Sequence, residues 1–410
     1  MSFALLGSVS LGLQYIWGPS RHLRALRLDV HPESSTPLDA KHLLQLVQES
    51  FRGPMPVLIL SSRNFSVIKR LLATVTDEKL WIELPPRALE TDLELLDLAQ
   101  HAKQRGVSLV WSGEATQRPD PDYALLYSRQ ILDLHPECLR MSLRAGNAEP
   151  PEIPTIPIHA GQIYRGVESK ALLNECFDAR KIWGHMGWPG KGLVRASRGE
   201  ASAPGLLAVM AMLKAVEKDA SIDQLELMLS RDPVLAYRFL RFVNSVAVGR
   251  RTDIDSLRRG LTLVGLKMVS EWLTEQQAAA SGSADLQPLR TQMVFRALLT
   301  EHMLDAGLDQ DLQKELYLSG LFSQLDLILD ERMPAVLQRT PLPDRVLSAI
   351  GSNRGVYWPA LDMARTIESG DAQLVSQRGN LHKIPPDQVN KAILRVLGLL
   401  PTVCPIDTSA

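Results

Sequence analysis

Cysteine is scarce in this chain and forms no pattern. The three cysteines, Cys138, Cys176 and Cys404, lie far apart, with no Cys-x-x-Cys and no zinc-type spacing. That excludes a cysteine-built metal site and fits a reducing cytosol. Charge of one sign is also lacking: 45 basic residues stand against 46 acidic ones, a formal net charge of -1. A bulk electrostatic partner, such as a long nucleic acid or an anionic membrane, is therefore not expected. Long hydrophobic runs are missing too. Nothing approaches the ~18 uninterrupted apolar residues of a membrane-spanning helix, so membrane insertion is not expected. The phosphate-loop pattern G-x-x-x-x-G-K-[ST], the serine elbow G-x-S-x-G and the zinc motif H-E-x-x-H are all absent, as is any His-Asp dipeptide.

Residues 1–20 carry no charge, but Gly7, Ser8, Ser10, Gly12 and Gln14 interrupt the apolar stretch, and the basic residues come after it. A signal peptide needs the opposite order, so a buried strand pair is the expectation here. What the chain does have is enough apolar content to build cores, 45% hydrophobic against 22% charged over 410 residues. That length favours at least two domains.

The two halves differ in texture. Up to about residue 190, short apolar runs alternate with helical segments. Strands are expected at 57–60, 80–84, 107–111, 129–134, 156–158 and 181–183, and helices at 66–74, 90–105, 122–127 and 169–177. Repeated strand-then-helix units imply a parallel sheet, and this many in one unit imply an α/β barrel. Gly106 suits the position after a helix end. Residues 184–204, rich in glycine with Pro189 and Pro204, read as a linker. Beyond residue 206 the pattern is helical, with segments at 206–218, 222–230, 232–245, 256–277, 288–306, 311–330, 343–350, 357–369 and 386–399.

The sharpest local signal is Asp232-Pro233. Asp232 is a good N-cap, and Pro233 suits the first helical position, where no amide bond is lost. Leu235, Phe239, Phe242 and Val243 then share one face. A second helix start comes at Ile254-Asp255-Ser256-Leu257. The order Asp232-Pro233-x-Leu235, Arg238-x-x-Arg241, Asn244-Ser245, then Ser256-Leu257 and Gly265, resembles the HDOD domain of bacterial signalling proteins. Gly320, inside the run 316–326, extends the likeness. A glycine there costs about 1 kcal/mol relative to alanine, so a close backbone neighbour is expected. The resemblance implies an all-helical relative of HD-type phosphohydrolases that lacks their metal ligands. His302 with Asp305 reads as an ion pair ahead of a metal site. The arginines 231, 238, 241, 250, 251, 258 and 259 read as a solvated face with local ion pairs ahead of a phosphate patch.

The first half resembles the EAL barrel that hydrolyses cyclic di-GMP, on Trp81-Ile82-Glu83-Leu84, Arg165-Gly166-Val167-Glu168-Ser169 and Trp183-Gly184. The resemblance implies a site with clustered carboxylates holding two divalent metals. Matched to that pattern, Arg24 stands at a metal-binding Glu, Leu60 at an Asn, Ser112 and Gly113 at an Asp pair, Ile131 at the catalytic Lys, Arg165 at a further Glu and Trp183 at a Gln. Only Glu83, Asp133 and Glu168 survive. An arginine in place of a metal-binding carboxylate opposes a cation outright.

The expectation is therefore an α/β plus all-α protein: a degenerate EAL-type, TIM-like α/β barrel over 1–190, an HDOD all-helical domain over 196–395 and a C-terminal tail over 396–410. No catalytic residue, metal or cofactor is expected. The expected function is non-catalytic signal transduction in the cytoplasm through partner signalling proteins, in a cyclic-di-GMP-linked pathway controlling motility, biofilm or virulence. Exposed apolar helix faces leave room for a homodimer. Two alternatives stay open: a receptor that binds cyclic di-GMP or another nucleotide without cleaving it, and a metal-dependent phosphohydrolase with displaced ligands.

Overall fold

The computed structural model describes residues 5–34, 37–135, 139–141, 152–154, 157–197, 199–246, 254–304 and 309–407. The chain separates into two compact units, one of residues 1–189 and 365–410, the other of residues 190–364. The expected helical stretch 196–395 is thus divided. The residues after 364 pack with the barrel, and the helical unit is an insertion between the barrel and its own C-terminal segment.

In the first unit eight strands close a barrel in the order β1-β10-β9-β6-β5-β4-β3-β2. They are β1 (Val9–Trp17), β2 (Leu23–Pro32), β3 (Val57–Ser61), β4 (Leu80–Leu84), β5 (Leu109–Glu114), β6 (Tyr127–Asp133), β9 (Ile163–Arg165) and β10 (Gly184–Met186). A separate two-stranded sheet pairs β7 (Leu139–Met141) with β8 (Glu152–Pro154). The strands of the barrel run parallel except β1, which is antiparallel to both β2 and β10. The expected buried strand pair near the N-terminus is β1 with β2.

Alternation decides which residues face inward. Ile16, Ala25, Val57, Ile59, Trp81, Val110, Ile131, Ile163, Trp183 and Met186 form one buried cluster inside the barrel. Trp111, Leu132 and Tyr164 face the other way and pack on Leu172, Leu173 and Phe177. The helices Ala40–Ser50, Phe65–Thr74 and Leu93–Gln104 are capped by Asp39, Asn64 and Asp92. Gly106 ends the last of these at φ +87°, a conformation glycine adopts without steric cost.

Several expectations are corrected. The stretch 184–204 is not simply a linker: Gly184–Met186 is the strand that closes the barrel, pairing with β1 and β9, and Gly190–Ala196 is helical. The strand expected at 181–183 starts at Gly184 instead. Residues 122–127 form only a short 3-10 turn, Ala124–Leu126. The Asp120-Pro121 turn before it leaves too few residues for a helix. Residues 157 and 158 lie outside any strand, and Ile156 lies outside the described residues.

The C-terminal residues are not a tail. The helix Pro386–Val403 runs along β1, where Asn390 donates to the carbonyls of Leu6 and Val9, both at 2.7 Å. Ile406 then bridges to Leu23. The helix Ala372–His382 has no counterpart in the sequence reading.

The second unit is helical. It comprises Leu206–Glu217, Ile222–Ser230, Pro233–Val246, Leu257–Ala279, Gln287–Met303, Gln310–Phe322 and Asp344–Ser352, with shorter helices between. The expected helix 256–277 is broken at Gly265, whose φ of +73° interrupts the helical path. The expected helix 311–330 stops at Phe322 and restarts at Leu325.

Candidate functional site at the barrel mouth

In a parallel barrel, functional side chains gather where the strands end at their C-termini. One step of alternation beyond the inner cluster places Arg27, Ser61, Glu83, Ser112, Asp133 and Arg165 there, facing inward. The centre is Arg27. Its Nε donates to Glu83 Oε2 at 2.5 Å and one Nη donates to Ser61 Oγ at 2.7 Å. The other Nη donates to Gln14 at 3.3 Å and to the Gly370 carbonyl at 3.2 Å.

Glu83 is 5% exposed. Burial alone pushes its carboxyl up, but Arg27 beside it, with a hydrogen bond from Ser112, holds it below the usual carboxylate range. A second pair lies across the mouth, where Arg165 donates to the Asp133 carboxylate. Burial lowers the Arg165 guanidinium, and repulsion from Arg27 adds to this. Asp29, nearer the rim, is pushed up by burial, with Arg27 opposing the shift, and it accepts the Ala372 N–H at 3.0 Å. At the rim itself, Glu114 pairs with His135 at 2.6 Å.

The positions singled out in sequence divide between this site and other places. Glu83, Ser112, Asp133 and Arg165 come together at the mouth. Arg24 does not. It lies at the opposite end of the barrel, donating to the Trp183 carbonyl at 2.9 Å and resting 4.7 Å from that indole's centroid. Trp81 packs against Trp183 there in a tilted contact, centroids 5.0 Å apart, and Arg129 lies 5.0 Å from the Trp183 ring. Ile131 and Trp183 are apolar filling of the interior. Leu60 is buried on the outward face of β3, and the neighbouring Ser61 is the inward residue. Gly113 turns outward, where a Cβ would run into the Trp111 ring. Glu168 is exposed in the loop after β9.

Sequence matching missed Arg27, Gln14, Ser61 and Asp29. Gln14 and Arg27 lie opposite each other through the register of the β1–β2 hairpin, which the sequence does not display. Among the described residues, no group of three or more His, Cys, Asp or Glu side chains is placed to hold a metal ion.

In the helical unit the singled-out residues build structure. Asp232 caps its helix, accepting from Val234 at 3.0 Å and Leu235 at 2.9 Å, while its second oxygen takes the Gly205 N–H at 2.8 Å. Pro233 opens that helix. Arg238 donates to Gln276 and to the Ser202 carbonyl, and Arg241 stacks on Tyr237. Asn244 bridges the Leu240 carbonyl to both backbone groups of Ile254, and Ser245 bonds back to Phe242. Ser256 caps the next helix. Gly320 lies where a Cβ would meet Ala297 Cα at 2.5 Å, the close backbone expected of it.

Arg258 pairs with Asp223 and Glu226, and Arg259 with Asp255. Arg250, Arg251 and Asp305 lie outside the described residues, as does Cys138. Cys176 and Cys404 are buried free thiols, each pushed up to about 12 by burial. No helix among the described residues is long and apolar enough to cross a membrane.

Comparison with known proteins places these observations. Residues 204–341 match the family of the HDOD domain. The chain is 24% identical over 172 residues to the cyclic di-GMP phosphodiesterase CdgJ of Vibrio cholerae, covering 42% of this chain and 40% of that protein. It is 26% identical over 155 residues to YuxH of Bacillus subtilis, covering 37% and 38% respectively. The matches thus span about two fifths of the length of each relative. Among solved structures, the MmoQ response regulator of Methylococcus capsulatus is similar over 47% of this chain and 98% of its own, with 16% identity and a TM-score of 0.40. Together with the Asp232 cap, the Asn244 bridge and the Gly320 contact, the family match means that this chain carries an HDOD domain at residues 204–341.

Proposed function

We propose that the chain is a non-catalytic signal-transduction protein whose barrel is a degenerate EAL domain. It acts in the cytoplasm through protein–protein contacts in a cyclic-di-GMP-linked pathway. The observation that carries this reading is the state of the two strand-end carboxylates. Glu83 and Asp133 are each engaged by an arginine, Arg27 and Arg165. A divalent metal needs carboxylate oxygens free to bind it, and it meets repulsion from guanidinium groups already there. Hydrolysis of a phosphodiester by a metal-activated water therefore lacks its main requirement at this mouth. The HDOD domain supports the signalling side of the reading, because its singled-out residues serve caps and packing. A chain of this kind transmits a state to partner signalling proteins.

The test is a calorimetric titration of cyclic di-GMP into the whole protein with Mg²⁺, after which the nucleotide is recovered. The expected result is no heat and intact nucleotide. Binding without cleavage would make the protein a receptor, and cleavage would overturn the argument from the paired carboxylates.

A further inference from the structure

The barrel mouth already has an occupant from its own chain. Gly370, Asp371 and Ala372 lie across it, close to where the chain re-enters this unit at Arg365. The Gly370 carbonyl accepts from Arg27, the Ala372 N–H donates to Asp29, and Asp371 pairs with Arg63 at 2.9 Å. The approach is close enough to need glycine on both sides. A Cβ on Gly12 would lie 2.8 Å from the Gly370 carbonyl carbon and 3.0 Å from the Ala372 nitrogen.

This segment is held more weakly than the helix after it. The helix Ala372–His382 buries only Ala372, Val375 and Gly379 and leaves Leu374 and Leu381 exposed. Two of its anchors are polar and near the surface: Ser376 donates to Glu33 at 2.9 Å, and Asp371 pairs with Arg63, which is 70% exposed. By contrast, Pro386–Val403 buries Val389, Ile393, Val396, Leu397 and Leu400. Burial of that kind stabilises each side chain substantially, whereas exposed ion pairs contribute little. Both ends of the weak segment have left-handed backbone, at Gly370 (φ +71°) and Lys383 (φ +57°).

We propose that residues 370–382 form an intramolecular lid on the barrel, opening on hinges at Gly370 and Lys383 while Pro386–Val403 stays docked. Closed, the lid takes up the outer donor of Arg27 and the acceptor of Asp29. Open, it presents Gln14, Arg27 and Asp29 to solvent. Low local stability is what such moving elements require.

Hydrogen exchange read by mass spectrometry on the whole chain tests this, with Gly12→Ala as the steric variant and Arg63→Ala as a rim variant that touches no core. The lid is expected to exchange roughly tenfold faster in Gly12→Ala and a few-fold faster in Arg63→Ala, with β3–β6 and 386–403 protected as before. Unchanged exchange of 370–382 in both variants would overturn the proposal. So would a rise that spreads to 386–403 and the barrel strands, because the segment would then be an integral part of the barrel rather than a lid.

Discussion

Arg27 and Glu83 form the central ion pair of the barrel mouth, with Nε and Oε2 2.5 Å apart and side chains 12% and 6% exposed. Neither residue type is normally left alone at such burial. The pair is therefore mutually dependent, and this gives the first prediction. Arg27→Met leaves the buried Glu83 without its arginine partner, a change that costs about 3–5 kcal/mol in comparable buried pairs. The double variant Arg27→Met/Glu83→Leu removes both charges and should be clearly more stable than Arg27→Met alone. Urea unfolding of both variants checks it; a double variant no more stable than the single one would mean the mouth is held by something other than this pair.

The barrel carries a buried imidazole whose protonation opposes folding. His185 accepts the Val167 N–H through Nε2 at 3.3 Å, so its Nδ1 carries the proton and donates to the Gly187 carbonyl at 3.1 Å. Burial pushes this histidine down to about 4. The unfolded chain takes up the proton near pH ~6.5 and the folded one does not, so stability is complete above that pH. It declines as pH falls toward about 4, by on the order of 3 kcal/mol in all. His185→Gln, which has no titrating ring, should flatten this part of the stability–pH curve, as read by thermal melts between pH 4 and 8.

The helical unit is expected to respond in the opposite direction. Burial pushes Glu301 up to about 7, with Lys314 pulling the other way. The folded state then binds a proton that the unfolded chain has already lost, so stability falls as pH rises from roughly 4.5 through 7. Glu301→Gln removes that dependence. It should match the wild type at pH 4 and exceed it at pH 8 by roughly 2–3 kcal/mol. Equal stabilities at both values would show that Glu301 is solvated.

How much of this was legible in the sequence depends on the residue. Strand 80–84 was readable to the residue because Leu80, Trp81, Ile82 and Leu84 make an apolar run of strand length. Asp232-Pro233 was readable because a cap and then a proline make a local device that needs no tertiary information. Gly320 was readable as a backbone contact, though not which backbone it met. The inward phase of β2 was not readable. It is set by pairing to β1, and that register shifts between Ile16 and Trp17, so Arg24 rather than Arg27 looked like the mouth residue. The strand Gly184–Met186 is three residues long within a glycine-rich stretch, too short for any period to show. The helix Ala372–His382 was invisible for a related reason. Its buried positions are an alanine, a valine and a glycine, which leave almost no apolar periodicity.

In the helical unit a buried carboxylate serves as both cap and counter-charge. Asp232 satisfies three backbone N–H groups, those of Gly205, Val234 and Leu235, and lies 3.9 Å from Arg290 with both side chains 3% exposed. Arg290 in turn donates to the Ala203 carbonyl at 2.7 Å, so it cannot swing out to water without losing that bond. Replacing Asp232 by alanine removes a cap, worth typically about 1 kcal/mol, and also leaves a buried guanidinium without its counter-charge, a loss of about 3–5 kcal/mol in other proteins. Asp232→Asn keeps acceptor oxygen for the helix start but not the charge. If the charge is the larger part, Asn should recover only the smaller share of the lost stability; if capping dominates, Asn should restore most of it. The first outcome is expected, because Arg290 is buried and the cap alone is worth less, and chemical denaturation of the two variants alongside the wild type separates them.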